Sequence, residues 1–419
     1  VSPLSQCLDL PPALRGIFNK NPPFVYFVTR GLSSMRFCSL VALALPFVAA
    51  VPTQSSSSHH PEPYFYKGHD LSSLKTMQDA GFLYKDTTRH NETRSAEDIL
   101  GDGGMNTVRL RIWVNPPDGT NGLPYTIELA RQMYKKGYKI YLDFHFADSW
   151  ADPNKQPPPA AWPTTLKPLA STLRNYVKDT LVSFKEAGIN LEMVALGNEI
   201  RHGMLWPLGY ADVDVEPWPA TVKNFSNLAY LWKEARAGVD DAVYAGVTKP
   251  QVLIHIDDGW NLTLQQRWFG ALTANGVPTS AWDVFGFSFY PFYGTAATFA
   301  NLRETVNTIA EEYRKPIQVV ETDYPAICNG EYNPIPQSSE PEIPYSIAGQ
   351  TEWTDDVISI VQQIPYGLGR GVHYWEPAWL NSTSLGSACN DCILFSPDYS
   401  TPQYIGYSRS SVNMFNVRT

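Results

Sequence analysis

Eight apolar, β-rich runs recur along the chain, and each is separated from the next by segments of helical or loop character. The runs are Tyr64–Gly68, Thr107–Val114, Lys139–Phe146, Met193–Glu199, Gln251–Asp257, Val284–Phe292, Pro316–Thr322 and Gly371–Pro377. Between them, "YTIELARQMYKKG", "LRNYVKDTLVSFKEAG" and "NLAYLWKEARAGVDDA" place apolar residues at helical spacing, the first with a Gly stop. Strands that alternate with helices form parallel sheets, because a parallel partner can be reached only through a crossover. Eight such units, with strands apolar on both faces, predict an α/β fold: a closed (β/α)8 TIM barrel ringed by helices. A chain of 419 residues is long for one domain, but such barrels often run long. No repeat and no second-domain boundary is visible, so residues 64–419 are expected to form one domain.

The N-terminal part is set aside. From Met35, Arg36 gives a positive start, Phe37–Phe47 an apolar core and Val48-Ala49-Ala50 a small-residue cleavage site. This pattern predicts a signal peptide over 35–50, too short to span a bilayer. Residues 1–34 are then expected to be an unstructured extension ahead of the true start. Residues 51–63, rich in Ser, His and Pro, read as a flexible lead-in. Export to the extracellular space fits four candidate N-glycosylation sequons, at Asn91, Asn224, Asn261 and Asn381. Beyond the signal and the extension, three cysteines remain: Cys328, Cys389 and Cys392. An odd number in a secreted chain predicts one disulfide and one spare thiol. A formal net charge of −9 argues against a nucleic-acid partner.

In parallel barrels the chemistry sits at the C-terminal ends of the strands. Here those ends carry Asp143 and His145 on the third strand, Asn198 and Glu199 on the fourth, His255 and Asp257 on the fifth, Tyr290 and Tyr293 on the sixth, Glu321 on the seventh, and Trp375 and Glu376 on the eighth. A buried carboxylate is costly without a partner. Two, on opposite sides of one mouth, suit glycoside hydrolysis: one protonates the leaving oxygen, and the other attacks the sugar carbon or activates water. Asn198 would bond the 2-hydroxyl of the sugar being cleaved. The 12 Trp and 23 Tyr fit core packing or a sugar cleft. Arg109 and Arg111 alternate onto one face of the second strand. An Arg there would hold Glu321 ionised, and Arg111 is expected to be a structural partner. His255, Asp257 and Asp258 are expected to meet sugar hydroxyls rather than a metal, since their spacing matches no known ligand geometry.

The motifs "NTVRLRIWVNP", "DFHFADSWADP", "GNEIRHGMLWPLG", "HIDDGW", "FSFYPFYG", "VVETDYP" and "YWEPAW" resemble those of the arabinogalactan endo-β-1,4-galactanase family, in matching order from about Tyr64 to the C-terminus. The resemblance implies Glu199 as acid/base and Glu321 as nucleophile. It implies Arg109 and Tyr290 beside the nucleophile, Trp375 as a sugar-stacking ring, and a Cys328–Cys389 disulfide. Trp260, Trp375 and Trp379 are expected to supply aromatic platforms at angles to one another, suited to the bent β-1,4-galactan chain. The expected partner is that polysaccharide, and the expected state a monomer with no cofactor and no metal. An endo-β-1,4-mannanase or cellulase, or a sugar-binding barrel without catalysis, are the alternatives.

Overall fold

The computed structural model describes residues 64–291, 296–327, 339–380, 391–400 and 403–416. The signal peptide, the lead-in, Tyr293, Cys328, Cys389 and Asn381 lie outside them. The eight expected strands are present: β1 (Tyr66–Asp70), β2 (Thr107–Ile112), β3 (Lys139–Phe144), β4 (Leu191–Leu196), β5 (Gln251–Ile256), β6 (Val284–Ser288), β7 (Ile317–Thr322) and β8 (Gly369–Tyr374). All neighbours pair in parallel, and β1 closes the barrel by pairing with both β2 and β8. The first strand begins two residues later than the sequence reading placed it, at Tyr66 rather than Tyr64. Tyr64 is 44% exposed and stacks edge-on against Tyr66 outside the ladder.

The strands are central, so they read as near-continuous apolar runs; all six residues of β2 are buried. The barrel interior holds Tyr66, Tyr141, Met193, Ala195, Leu253, Val284 and Val320. Each such burial contributes about 1.5–3 kcal/mol for a large aliphatic or aromatic side chain. Gly286 is required in this layer: a Cβ there would stand 2.5 Å from Leu253 Cδ2. The outer layer is built by the helices Leu123–Lys135, Leu166–Glu186, Ser226–Tyr244, Leu262–Ala274, Phe299–Tyr313 and Ile347–Gln362. Asn261, Thr298 and Ser346 cap three of them with side-chain oxygens, which satisfies backbone donors that would otherwise lack partners. After the first helix, Gly137 turns the chain at φ 93°.

A second sheet was not foreseen. The short strands Phe395–Asp398, Ile405–Ser408, Leu83–Asp86 and Glu92–Arg94 pair in that order. Three or four residues give too few periods for an alternation to register. The sheet has a positioning role. Tyr84 packs on Phe395 and its hydroxyl donates to Ala378 O at 2.6 Å, which fixes the loop after β8.

One irregularity bears on the site. Along β7, Val319 pairs with Phe287 but Glu321 pairs with the next residue, Ser288. The opposite neighbour shows the same slip, with Val372 beside Val319 and Tyr374 beside Thr322. Just after Val319, strand β7 therefore carries one extra residue relative to both neighbours, which on the β8 side offsets an opposite slip between Gly369 and Gly371. Such a bulge re-aims the side chains that follow it, and here the residue that follows is Glu321.

Of the described candidate sequons, Asn91 is exposed, while Asn224 and Asn261 are half-buried with Oδ1 engaged by Asp212 N and Leu264 N. Cys392 is buried. Among the described residues, no helix is long and apolar enough to cross a membrane.

Candidate active site

At the C-terminal mouth of the barrel lies a cleft of about 610 Å³. Arg109, Asn198, Glu199, Ser288, Tyr290 and Glu321 line its floor, and Trp150, Trp260 and Trp375 contribute rings. The carboxylates of β4 and β7 converge there. One oxygen of Glu199, one of Glu321 and a ring nitrogen of His255 lie within 4.8 Å of one another.

Arg109 is the hub of the floor. Its Nη1 bonds Asp70 at 2.7 Å. Its Nη2 reaches Asp143 at 2.9 Å, Asn198 Oδ1 at 2.9 Å and Glu321 Oε1 at 2.6 Å. The other oxygen of Glu321 accepts from the Tyr290 hydroxyl at 3.0 Å. Both partners expected for Glu321 are therefore in contact with it. Asn198 is held by three contacts: Arg109 on Oδ1, Ala151 O from Nδ2 at 2.8 Å, and Gln156 on its carbonyl at 2.9 Å. Its amide orientation is fixed, because Nδ2 must face the carbonyl and Oδ1 the guanidinium.

Glu199 sits at φ 47°, a left-handed backbone that side chains other than glycine adopt at a cost of about 1–3 kcal/mol. Phe146, Asp258 and Glu376 do the same, with φ between 44° and 52°. All four follow a barrel strand, so the strain collects at the mouth. The carboxylate of Glu199 accepts from Ser288 Oγ at 2.6 Å. Ser288 is the last residue of β6 and Tyr290 follows two residues later, so the end of the sixth strand serves both carboxylates.

Burial pushes Glu321 up to about 7, while the Arg109 charge and the Tyr290 hydroxyl oppose it. Burial, followed by the charges of Glu321 and Asp257, pushes Glu199 well above its ordinary value. Among the described residues no ion pair forms to Glu199, whereas Glu321 is bonded to the Arg109 guanidinium. The two carboxyls therefore titrate apart, Glu199 keeping its proton at a pH where Glu321 has lost its own.

Three residues expected to meet the substrate are placed differently. Asp143 and His255 are fully buried. Asp143 bonds Arg109 and His145 Nε2, the latter at 3.2 Å. Burial works to raise its carboxyl, and Arg109 with His145 overcomes this and holds it at about 2. His255 Nε2 lies 2.8 Å from Ser288 Oγ, behind the cleft wall. Trp379 does not line the cleft; it stacks on Trp150 with 19° between ring planes. His145 does line it, and its tautomer is set: Nδ1 accepts from Ala151 N at 3.2 Å, so Nε2 carries the hydrogen toward Asp143.

Arg111, expected to be a structural partner, is engaged within the protein and also lines the cleft. It bonds Glu376 at 2.5 Å and Ser73 at 2.7 Å, and its guanidinium lies 4.4 Å from the Trp150 ring centre. Asp257 and Asp258 are gripped by Arg201, the first at 3.1 Å. Burial and the Asp258 charge push Asp257 up to about 8.

The sequence reading missed Trp150, Ser288, Asp70 and Arg201. Trp150 lies in the run "DFHFADSWADP" beyond the end of β3. Its loop position was the available signal, since rim loops in this fold carry binding residues.

Comparison with known proteins places this geometry. The model of glycosyl hydrolase family 53 matches residues 66–419. An arabinogalactan endo-β-1,4-galactanase of Humicola insolens is 38% identical over 356 residues, covering 84% of this chain and 98% of that protein. A probable arabinogalactan endo-β-1,4-galactanase A of Aspergillus fumigatus is 38% identical, covering 84% and 92%. Among solved structures, one from a study of two fungal β-1,4-galactanases superposes with a TM-score of 0.74 at 38% identity, covering 84% of this chain and 98% of that one. The family 53 catalytic domain of Ignisphaera aggregans superposes at 0.70 with 28% identity, covering 84% and 95%. With an eight-stranded barrel, two carboxylates at its mouth and a family match over nearly all the described residues, the chain belongs to glycosyl hydrolase family 53.

Proposed function

We propose that the protein is an exported endo-hydrolase of β-1,4-galactan that retains anomeric configuration, with Glu321 as nucleophile and Glu199 as acid/base. The observation that carries the mechanism is the close approach of the two carboxylates, with oxygens inside 4.8 Å. Retaining enzymes hold their carboxyl groups about 5–5.5 Å apart, whereas an inverting pair leaves a wider gap for water. The division of labour follows from the surroundings. Glu321 is bonded to a guanidinium and a phenol, which favours the ionised, attacking form. Glu199 is held protonated by burial and by the charge of Glu321, which suits donation to the leaving oxygen.

In the first step Glu321 attacks the anomeric carbon while Glu199 gives its proton to the departing oxygen. In the second, Glu199 takes a proton from water, which displaces Glu321. Asn198 offers Nδ2 beside the cleft, suited to the sugar 2-hydroxyl. The substrate class rests on the relatives, which are named for endo-β-1,4-galactanase activity. Export rests on the Met35–Ala50 pattern. A galactomannanase or cellulase shares the two carboxylates, so the test is comparative. Incubation with galactan, galactomannan and carboxymethyl-cellulose should release short galacto-oligosaccharides early and from galactan alone. Proton NMR of the first products should show the β-anomer. Faster cleavage of mannan or cellulose overturns the substrate, and α-anomers overturn the mechanism.

Trp150 should matter for binding more than for chemistry. It is half-buried, lines the cleft and is backed by Arg111 and Trp379. Trp150→Ala is expected to raise KM for galactan roughly 2- to 12-fold, the value of one aromatic contact of about 0.5–1.5 kcal/mol, with kcat nearly unchanged. A fall in kcat without a change in KM contradicts this.

A further inference from the structure

Behind Glu199 lies a hydrogen-bonded chain that the reaction as described does not use. Ser288 Oγ donates to Glu199 Oε1 at 2.6 Å. The same oxygen lies 2.8 Å from His255 Nε2. His255 is fully buried on β5 and Ser288 is 2% exposed on β6. We propose that His255 and Ser288 form a one-way hydrogen-bond relay that confines the catalytic proton of Glu199 to Oε2, the oxygen left open to the substrate. The proposal rests on the acid/base reading of Glu199.

The polarity follows from counting hydrogens. When Glu199 is ionised it has none, so the Ser288 hydroxyl must donate to it. A serine has one hydrogen, so Oγ must then accept from His255, which fixes the imidazole hydrogen on Nε2. Burial holds that ring neutral, its pKa taken down to about 3, and the Arg109 charge adds to the effect. It therefore carries one hydrogen only. When Glu199 takes up a proton, two sites compete. A proton on Oε2 leaves the chain as it is. A proton on Oε1 either makes Ser288 Oγ accept from both Oε1 and Nε2, which leaves the serine hydrogen without an acceptor in the chain, or reverses both bonds and moves the His255 hydrogen to Nδ1. No described protein atom accepts there. A buried donor left without a partner is costly, so Oε2 is favoured. His255 lies outside the cleft lining and Ser288 borders the cleft with its hydroxyl turned to Glu199; both act here as positioning residues, which choose the oxygen that carries the proton. Their placement is served by the β7 bulge, which sets Ser288 directly beside Glu321 in the ladder.

The groups facing this relay enter any pH reading of it. Glu321, Asp257 and Arg109 act on Glu199. Arg109, Asp143 and His145 act on His255. None of them is altered in the test variants. The Ser288 bond favours the ionised form of Glu199, so its loss moves the alkaline limb of kcat/KM upward.

The experiment compares Ser288→Ala, Ser288→Thr and His255→Phe on galactan and on phenyl and 2,4-dinitrophenyl β-galactobiosides. In Ser288→Ala, kcat/KM on galactan and the phenyl glycoside is expected to fall roughly 10-fold, the scale of one hydrogen bond to a charged group. The dinitrophenyl glycoside, which needs no acid, should be cleaved nearly as before. The alkaline limb should rise by about one pH unit. Ser288→Thr keeps the hydroxyl and should restore both. His255→Phe keeps the serine but frees its hydrogen, so it should steepen the leaving-group dependence in the same direction. This variant also decides the matter if Ser288→Ala does not fold. Equal losses on all three substrates with an unmoved limb overturn the relay. Glu199→Ala run in parallel keeps the two ideas apart: if that variant shows no leaving-group dependence, the acid/base reading itself has failed.

Discussion

Glu321→Ala is expected to lower kcat on galactan by about 10⁶-fold, the scale seen when a hydrolase loses its covalent nucleophile. Arg109 makes the effect particular to this protein. With the carboxylate gone, the guanidinium keeps its bonds to Asp70, Asp143 and Asn198, so the floor should survive and the variant should fold. The side chain leaves a space on the side from which attack occurs, bordered by a cation and the Tyr290 hydroxyl. A small anion such as azide should enter it and restore part of the turnover on an activated aryl β-galactobioside. The product should be the α-azide, since the anion replaces the enzyme nucleophile in a single displacement. Product NMR and the azide dependence of kcat check this. A Glu321→Ala enzyme that retains wild-type turnover removes Glu321 from the reaction. A β-azide places the attack on the wrong face.

Much of this architecture was legible because burial on both faces forces a parallel strand to be apolar. Val108, Leu110 and Ile112 face one layer of β2, and the strand stood out for that reason. The polar residues at the strand ends were legible by contrast with the apolar runs before them. Alternation puts both Arg109 and Arg111 on one face of β2, and the family resemblance is what singles out Arg109 as the partner of Glu321. The β7 bulge was not legible: an extra residue in a ladder has no signature in a run such as "PIQVVET". Nor was the layering behind the mouth. Asp143, His145 and His255 are the same residue types in the same kind of position. Whether each reaches the cleft depends on its depth in the barrel and on register, both set by strand pairing. Trp379 and Trp150 show the same limit. Sequence places both on rim loops, but only packing decides which ring faces the cleft and which lies behind it.

Glu199→Ala should separate two kinds of substrate. On galactan the leaving group is a sugar hydroxyl, which departs poorly as an anion and needs a proton in the transition state. Loss of the general acid should cost about 10²–10⁴-fold there. On a 2,4-dinitrophenyl glycoside the departing phenolate is stable, so formation of the glycosyl-enzyme should proceed at close to the normal rate. The second step also loses its base, and the intermediate on Glu321 should then accumulate. A burst of phenolate equal to the enzyme present, followed by slow turnover, is the expected trace. Azide should accelerate that slow phase by attacking the intermediate without needing a base, and it should give the β-azide, the opposite of the Glu321→Ala product. Removal of Glu199 takes no charge away from Glu321 in the acid range, because Glu199 is the last of the two to lose its proton. Burial and the Asp143 and Asp70 carboxylates raise Glu321, and these remain in the variant. The acid limb of the remaining activity should therefore stay where it is. A shift in either direction contradicts that order of titration. Equal loss on both substrates, with no burst and opposite azide products absent, leaves Glu199 without the role of acid/base.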